Sequence, residues 1–292
     1  MKPKEIIFEA FELGTPERVP VTWFGGGAWT IFNSGNNFLT MAESPEKMTN
    51  VIISTQEIIP GDIVYCGSGY NNFHAAALGG KIKFRAIGPP DLDAPLAKTE
   101  EDLNQMYSKL ESGTLEKDRI IDTIYKTTKL VVNKIGDEFV VTTTAWGPFT
   151  LAAQLRGVEE LMRDVYKNPD FAKKIIDFSS NVILEFYKPL IEDEIIEMVS
   201  IADPTASGDL VSRKHFNDFA VPYLQKVIKK IKQRKVRVLL HICGNTRDKL
   251  DLMTQTRADC FSLDHKVDIG YAKQVLGDKI CIAGNIDPVG VL

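Results

Sequence analysis

The sequence has few cysteines and no long hydrophobic run, and both features narrow the class of protein. The four cysteines are spread along 292 residues, at positions Cys66, Cys243, Cys260 and Cys281. Such wide spacing argues against a disulfide framework and is typical of a reducing cytosol. No apolar run approaches the roughly 18 residues that a membrane span requires, and Met1–Gly14 is amphipathic instead of resembling a signal peptide. The sequence therefore predicts a cytoplasmic protein that does not cross a membrane.

The sequence also lacks an excess of positive charge and the glycine-rich motifs of nucleotide-binding enzymes. The formal net charge is -4, so nucleic acid and anionic membranes are not expected partners. No Gly-x-Gly-x-x-Gly opens a helix after a strand, and no Lys-Ser/Thr follows Gly25-Gly26-Gly27 as it would in a phosphate loop. Apolar residues make up 44% of the chain, which is ordinary for a globular protein.

Short apolar segments alternate with helical patterns along the chain. The predicted strands are Arg18–Trp23, Asp62–Cys66, Glu138–Thr144, Ile196–Ala202, Val236–His241, Asp259–Leu263 and Lys279–Ala283. The predicted helices include Lys4–Leu13, Pro45–Ile59, Asn168–Ile191, Arg213–Lys232, Thr246–Gln255 and Ile269–Leu276. This βα rhythm is typical of an α/β protein with a parallel sheet.

The expected fold is one (β/α)8 TIM-type barrel domain over residues 1–292, with an N-terminal helical segment. An open doubly wound sheet is the alternative. The last predicted strand ends about nine residues before Leu292. The C-terminal βα unit of the barrel is therefore predicted to be missing from this chain, as it would be in a fragment of a longer protein.

Polar and ligand-capable residues follow five consecutive predicted strands. The strand ends read Trp146-Gly147-Pro148, Asp203-Pro204, His241-Ile242-Cys243, Asp264-His265 and Gly284-Asn285-Ile286-Asp287. In a barrel these ends converge on one mouth, where the active site of this architecture lies. Asp203, Asp264 and Asp287 could bind substrate or orient a ligating histidine, and each could equally cap the next helix. Trp146 and Asn285 are further candidates for substrate binding.

His241-Ile242-Cys243 is the most specific local feature. Residues i and i+2 of an extended strand point to the same side, so this strand end could present an imidazole and a thiolate to one zinc ion. Gly244 would let the backbone turn closely past the metal. The alternative is a histidine and a cysteine that merely finish a buried strand, and the tripeptide by itself favours that interpretation. The sequence contains no other His-x-Cys and no Cys-x-x-Cys, so further ligands would come from elsewhere.

The remaining cysteines and His265 are weaker candidates. Cys260 and Cys281 are near the starts of their predicted strands, away from the mouth, and are expected to be small core residues. Cys66 could reach the mouth, but Gly67-Ser68-Gly69 indicates a turn after it. His265 could be a fourth ligand, a proton carrier or a solvated loop residue.

Six motifs occur in a characteristic order along the chain. They are Pro16-Glu17-Arg18-Val19-Pro20-Val21, Ala77-Leu78-Gly79-Gly80, Gly147-Pro148-Phe149-Thr150-Leu151-Ala152, His241-Ile242-Cys243-Gly244, Leu263-Asp264 with Val267-Asp268, and Gly284-Asn285-Ile286-Asp287-Pro288. In this order they resemble the uroporphyrinogen decarboxylase superfamily over almost the whole chain. Within it, the chain is more similar to the zinc-dependent corrinoid methyltransferases, typified by the methylcobamide:coenzyme M methyltransferases.

Two departures distinguish the branches of that superfamily. Its decarboxylases carry an Arg-Gln-Ala-Gly-Arg stretch after the first strand, whereas residues 23–29 of this chain contain no arginine. They also carry an aspartate after the second strand, where this chain reads Cys66-Gly67-Ser68-Gly69-Tyr70. A polycarboxylate substrate is not expected to bind without cations. The resemblance therefore favours the methyltransferase branch and, with it, the zinc interpretation of the His-x-Cys pair.

The resemblance implies a methyltransferase that moves a methyl group between a protein-bound corrinoid and a small thiol or methylated substrate. It implies His241 and Cys243 as catalytic zinc ligands, with a second cysteine beyond residue 292 as the third ligand and Zn²⁺ as a Lewis acid. A partner protein would supply the corrinoid, and Trp29, Tyr70 and Trp146 are expected to contact it. The alternatives are a divergent uroporphyrinogen decarboxylase-like enzyme and a non-catalytic tetrapyrrole-binding protein.

Overall fold

The structure is a computed structural model that describes residues 1–24, 26–85, 88–287 and 290. Gly25 and Pro288, which belong to the motifs above, lie outside the described residues. The strands are β1 Ile63–Cys66, β2 Ile82–Lys83, β3 Asp91–Leu92, β4 Val140–Trp146, β5 Met198–Ala202, β6 Arg237–His241, β7 Cys260–Ser262 and β8 Cys281–Ala283. The α-helices are α1 Pro3–Phe11, α2 Gly27–Asn33, α3 Phe38–Met41, α4 Pro45–Ile58, α5 Phe73–Ala77, α6 Glu100–Glu111, α7 Thr114–Lys117, α8 Arg119–Ile135, α9 Pro148–Arg156, α10 Val158–Lys167, α11 Pro169–Glu192, α12 Arg213–Phe219, α13 Val221–Lys232, α14 Leu250–Thr256 and α15 Ile269–Leu276. Short 3₁₀ helices span Pro204–Ala206 and Arg247–Lys249.

Six strands form one sheet in the order β1-β4-β5-β6-β7-β8, and β2 and β3 form a separate antiparallel pair. The β1–β4, β6–β7 and β7–β8 pairs are parallel, with helices between successive strands. β5 is buried along its whole length and β4 along all but its last residue. Strands buried on both faces are typical of a parallel sheet covered by helices. The predicted α/β class is confirmed.

The chain divides into two compact units. One consists of Met1–Glu9, Thr15–Thr144 and Glu185–Val199, and the other of Ala10–Gly14, Ala145–Leu184 and Ser200–Leu292. In the first unit, α4 packs on α8. In the second, α13 packs on β6 and α14, and its buried residues follow helical spacing. The single domain expected over residues 1–292 stays a prediction.

The predicted strand Arg18–Trp23 has no regular secondary structure in this protein. It lies along the start of β1, because the Asp62 N–H donates to the Val21 carbonyl at 2.7 Å. Arg18 also donates to both carboxylate oxygens of Asp62, at 2.7 and 2.5 Å. Pro20 has no N–H and cannot donate to a ladder, which limits regular pairing here.

The long helix predicted over Arg213–Lys232 is two helices. Ala220 separates α12 from α13, with φ -111° and ψ -54°. Pro222 follows in the first turn of α13, where its missing N–H is tolerated, whereas the same residue would interrupt a continuous helix. No helix in the described part of the chain is both long and apolar enough to cross a membrane.

Candidate active site

The ends of β6, β7 and β8 lie side by side in the second unit. Strand register places His241 opposite Ser262, and Ser262 opposite Ala283. Soon after two of these strands the chain turns through glycines in the left-handed region, at Gly244 (φ 77°) and Gly284 (φ 118°). Since the strands are parallel, the polar residues that follow them emerge at the same edge of the sheet.

His241 and Cys243 flank a fully buried residue. Ile242 has 0% of its surface exposed, whereas His241 and Cys243 are both half-buried. Burial lowers the pKa of His241 to about 4, so its imidazole is neutral near pH 7, which is the form that ligates metals. Burial, with a smaller contribution from the Asp264 carboxylate, raises the pKa of Cys243. A bound cation would oppose that effect, because a coordinating thiol is deprotonated.

The donor chemistry of this pair fits zinc, which takes imidazole nitrogen and thiolate sulfur as ligands. Zinc sites in enzymes use three protein ligands and keep one position open. In residues 1–24, 26–85, 88–287 and 290, no group of three His, Cys, Asp or Glu side chains could hold a metal ion. Among the described residues, His241 and Cys243 are the predicted pair of donors for such a site, and their role as zinc ligands stays a prediction.

The Asp264 carboxylate connects the loop after β6 to the loop after β7. It accepts hydrogen bonds from the N–H groups of Gly244, at 2.8 Å, and Lys266, at 2.9 Å. Burial acts to raise the pKa of Asp264, but these N–H donors and the nearby cationic groups outweigh it, and the pKa is lowered. His265 is flanked by two carboxylates, with Nδ1 at 3.0 Å from Asp264 Oδ1 and Nε2 at 3.8 Å from Asp287 Oδ1.

The segment Ser207–Asp209 packs on the loop that carries Cys243. A β-carbon at Gly244 would collide with the Ser207 hydroxyl and lie 2.7 Å from Asp209 Oδ2. Asp209 in turn accepts from Lys266 Nζ at 2.7 Å. Only a glycine at position 244 allows this close approach. The contact of Ser207 and Asp209 with this loop was not predictable from the sequence, because no local pattern links positions separated by more than 30 residues.

Asp203 is completely buried at the end of β5. Its carboxylate accepts from the N–H groups of Thr150, at 2.6 Å, and Phe149, at 3.4 Å, and so caps the N-terminus of α9. Its own N–H donates to the His241 carbonyl at 2.8 Å. Burial raises the pKa of Asp203 to about 6.

Trp146 is the last residue of β4 and is half-buried. Substrate binding by Asp203 and Trp146 stays a prediction.

Asn285 holds the loop between β7 and α15. Its Nδ2 donates to the Val267 carbonyl at 2.5 Å and to the Asp264 carbonyl at 3.3 Å. Asp287, whose side chain is more exposed, lies beside His265. The structure thus gathers Asp264, Asn285 and Asp287 around one loop, as the strand-end pattern predicts. A role for these three residues in substrate binding stays a prediction.

Almost the whole chain matches a known protein family. The model of the Uroporphyrinogen decarboxylase (URO-D) family matches residues 2–292. The chain belongs to the uroporphyrinogen decarboxylase family. This confirms the resemblance that the motifs indicate.

The relatives that are similar to this chain include methyltransferases and uroporphyrinogen decarboxylases. Methylcobamide:CoM methyltransferase MtbA of Methanosarcina mazei is 29% identical over 299 residues, which cover 99% of this chain and 84% of that relative. Uroporphyrinogen decarboxylase of Chlorobium luteolum is 24% identical, over 86% of this chain and 71% of that relative. A solved structure of a methyltransferase from Methanosarcina mazei superposes with a TM-score of 0.86 and 22% identity, covering 98% of this chain and 83% of the other. The structural likeness supports the predicted TIM-type fold.

Proposed function

We propose that this protein is a zinc-dependent methyltransferase that moves a methyl group between a corrinoid and a small thiol or methylated substrate. The observation that carries the proposal is the half-buried His241 and Cys243 at the end of β6 in a family whose members include a methylcobamide:CoM methyltransferase. The absence of arginine from residues 23–29 supports a methyltransferase over a decarboxylase, because a polycarboxylate substrate needs cationic partners.

His241 and Cys243 would hold the metal, with a third ligand from outside the described residues. Bound zinc supplies Lewis acidity, which lowers the pKa of a thiol or alcohol substrate and stabilises a charged leaving group. The neutral imidazole needs no deprotonation to serve as a ligand. Asp264 holds the backbone of Gly244 and thereby sets the position of the preceding Cys243. His265, between Asp264 and Asp287, is the side chain suited to carry a proton to or from the substrate.

The corrinoid would be brought by a separate protein in the cytoplasm. The acidic side chains at this edge of the sheet, Asp264 and Asp287, are proposed to contact the small substrate together with Asn285, Asp203 and Trp146. Trp29, which is exposed, is a further candidate for contact with the corrinoid, whereas Tyr70 is buried and its hydroxyl donates to the Phe38 carbonyl.

Zinc content tests the metal site. Elemental analysis of the full natural gene product, purified under thiol-reducing conditions, should find about one zinc ion per chain. His241→Ala and Cys243→Ser should each lose it, whereas Cys281→Ser, a cysteine at the start of β8, should retain it. No zinc in the wild-type protein, or full zinc in both ligand variants, would overturn the proposed site.

Methyl transfer tests the reaction. With methylcobalamin as donor and coenzyme M as acceptor thiol, the wild-type protein should demethylate the corrinoid, followed by its visible absorption, and His241→Ala should not. A decarboxylase would instead release carbon dioxide from uroporphyrinogen, and a tetrapyrrole-binding protein would purify coloured without catalysing either reaction. Either of these results would replace the proposed function.

A further inference from the structure

Ser262 is the nearest cross-strand neighbour of His241 in the β6–β7 pairing. The two residues are directly opposite in a parallel register, and each is the last residue of its strand. Adjacent strands lie about 4.8 Å apart, so two side chains on the same face of this pair meet directly. The His241 Nδ1 atom is 3.0 Å from Ser262 Oγ. Ser262 has only 8% of its surface exposed, which leaves its hydroxyl little access to bulk water.

This contact determines which nitrogen of His241 faces away from β7. A neutral imidazole has one N–H donor and one lone pair, and a serine hydroxyl can accept from the first. When Nδ1–H donates to Ser262 Oγ, the lone pair is on Nε2. Histidines that ligate metals usually donate their other ring N–H to an oxygen partner, which sets both the tautomer and the ring orientation.

We infer that Ser262 is a positioning residue for His241: its hydroxyl accepts from Nδ1–H and presents Nε2 as the metal-ligating nitrogen. The inference rests on the proposed function, since it requires His241 to be a metal ligand. Ser262 does not itself touch the metal or the substrate. It acts through the ring, and no pattern in the local sequence marks it, because the pairing depends on the register of two strands 21 residues apart.

Zinc affinity, measured by competition with a chromophoric chelator, tests this role without an activity assay. Ser262→Ala should weaken zinc binding about 10-fold, at the lower end of the range for such oxygen partners. Ser262→Thr keeps the hydroxyl and should restore wild-type affinity. The matched control is Ser180→Ala, because Ser180 is a buried serine of α11 whose hydroxyl donates to the Ile176 carbonyl. This variant should leave the affinity unchanged.

The tautomer of His241 provides a second measurement, independent of the metal. In protein labelled with ¹⁵N-histidine and stripped of zinc, the imidazole shifts of His241 should report a proton on Nδ1 in the wild type and in Ser262→Thr. A proton on Nε2 in the wild type would overturn the inference.

The results separate this inference from the proposed function. Zinc binding by the wild type with equal affinity in Ser262→Ala would overturn the role of Ser262 alone. No zinc binding by the wild type would overturn both. A 10-fold loss that Ser262→Thr restores and Ser180→Ala does not reproduce would establish the role.

Discussion

Gly147 and Asp203 are in direct contact, and the contact explains why position 147 is a glycine. A β-carbon at Gly147 would lie 2.5 Å from Cβ of Asp203 and 2.7 Å from Oδ2. The absence of a side chain lets the Asp203 carboxylate reach the N-terminus of α9, where it accepts the Thr150 N–H. The Asp203 N–H also donates to the His241 carbonyl. Asp203 therefore links the N-terminus of α9 to the end of β6, which carries His241.

Gly147→Ala should therefore destabilise the protein. The φ of Gly147 is -71°, so backbone strain is not the reason. The added methyl group would instead displace Asp203, and overpacking of this kind costs about 1–3 kcal/mol. Urea denaturation measures the change in the free energy of unfolding. Gly270→Ala in α15, where the added β-carbon meets only Asp268 at 3.3 Å, is the control and should be neutral or slightly stabilising. Equal stability of the two variants would contradict this account of the contact.

Gly244→Ala should impair both stability and zinc binding. Alanine at φ 77° costs about 1–2 kcal/mol in backbone strain, and its methyl group would also collide with the Ser207 hydroxyl. Gly35→Ala is a matched control, since Gly35 has φ 72° and nothing within 4 Å of an added β-carbon. The control should lose only the stability that corresponds to the backbone strain. If Gly35→Ala and Gly244→Ala lose the same stability and both keep zinc, the packing of Ser207 on this loop is unimportant.

Arg18→Gln should destabilise the segment beside β1 in a pH-dependent way. Burial acts to raise the pKa of Asp62, but hydrogen bonds from Arg18 and the Val21 N–H outweigh it and lower the pKa. A lowered pKa in the folded state contributes stability above the unfolded value, and this contribution is lost as pH falls through the folded pKa. Arg18 is half exposed, so the expected cost at pH 7 is about 1–2 kcal/mol.

Urea denaturation of Arg18→Gln at pH 7 and below pH 3 checks the sign. The difference from wild type should shrink at the lower pH, because Asp62 becomes protonated and no longer needs its partner. Arg163→Gln, which breaks an exposed pair with Glu160 on α10, should have little effect at either pH. A cost for Arg18→Gln that grows on acidification would contradict the assignment.

Asn285→Ala distinguishes a structural role from substrate binding. Loss of the two hydrogen bonds to the Val267 and Asp264 carbonyls should cost about 1–2 kcal/mol of folding stability. Asn245→Ala, in the exposed loop after Cys243, is the control and should change stability little. An Asn285→Ala variant with wild-type stability and a raised KM would show instead that the amide binds substrate.

Much of the fold follows from local pattern. Six of the seven predicted strands occur in the described residues with slightly different bounds, because runs of buried β-branched residues between amphipathic helices have few other stable arrangements. The failure at Arg18–Trp23 has a local cause in Pro20. The prediction of one continuous helix over Arg213–Lys232 was also wrong for a local reason, which is Pro222. Both prolines are present in the sequence, but a prediction based on hydrophobic periodicity alone does not account for their missing N–H groups.

Local pattern also predicted which strand-end residues lie near one another, but not the contacts that support them. Residues that follow parallel strands must emerge at one edge of the sheet, so the cluster of His241, Cys243, Asp264 and Asn285 was predictable from strand ends alone. The burial of Asp203 against α9 was not, since capping and substrate binding leave the same mark on the sequence. The hydroxyl of Ser262 beside His241 depends on register, which no single strand specifies.

The sequence by itself determined the succession of most strands and helices, the α/β class, and the placement of a His-x-Cys pair at a strand end. These features were predictable because backbone propensity and side-chain periodicity act within a few residues. Only the tertiary structure decided which distant groups meet: Ser262 with His241, Gly147 with Asp203, and Arg18 with Asp62. Those pairs depend on strand register and close packing, and both are set by the summed free energy of the folded chain instead of by any one segment.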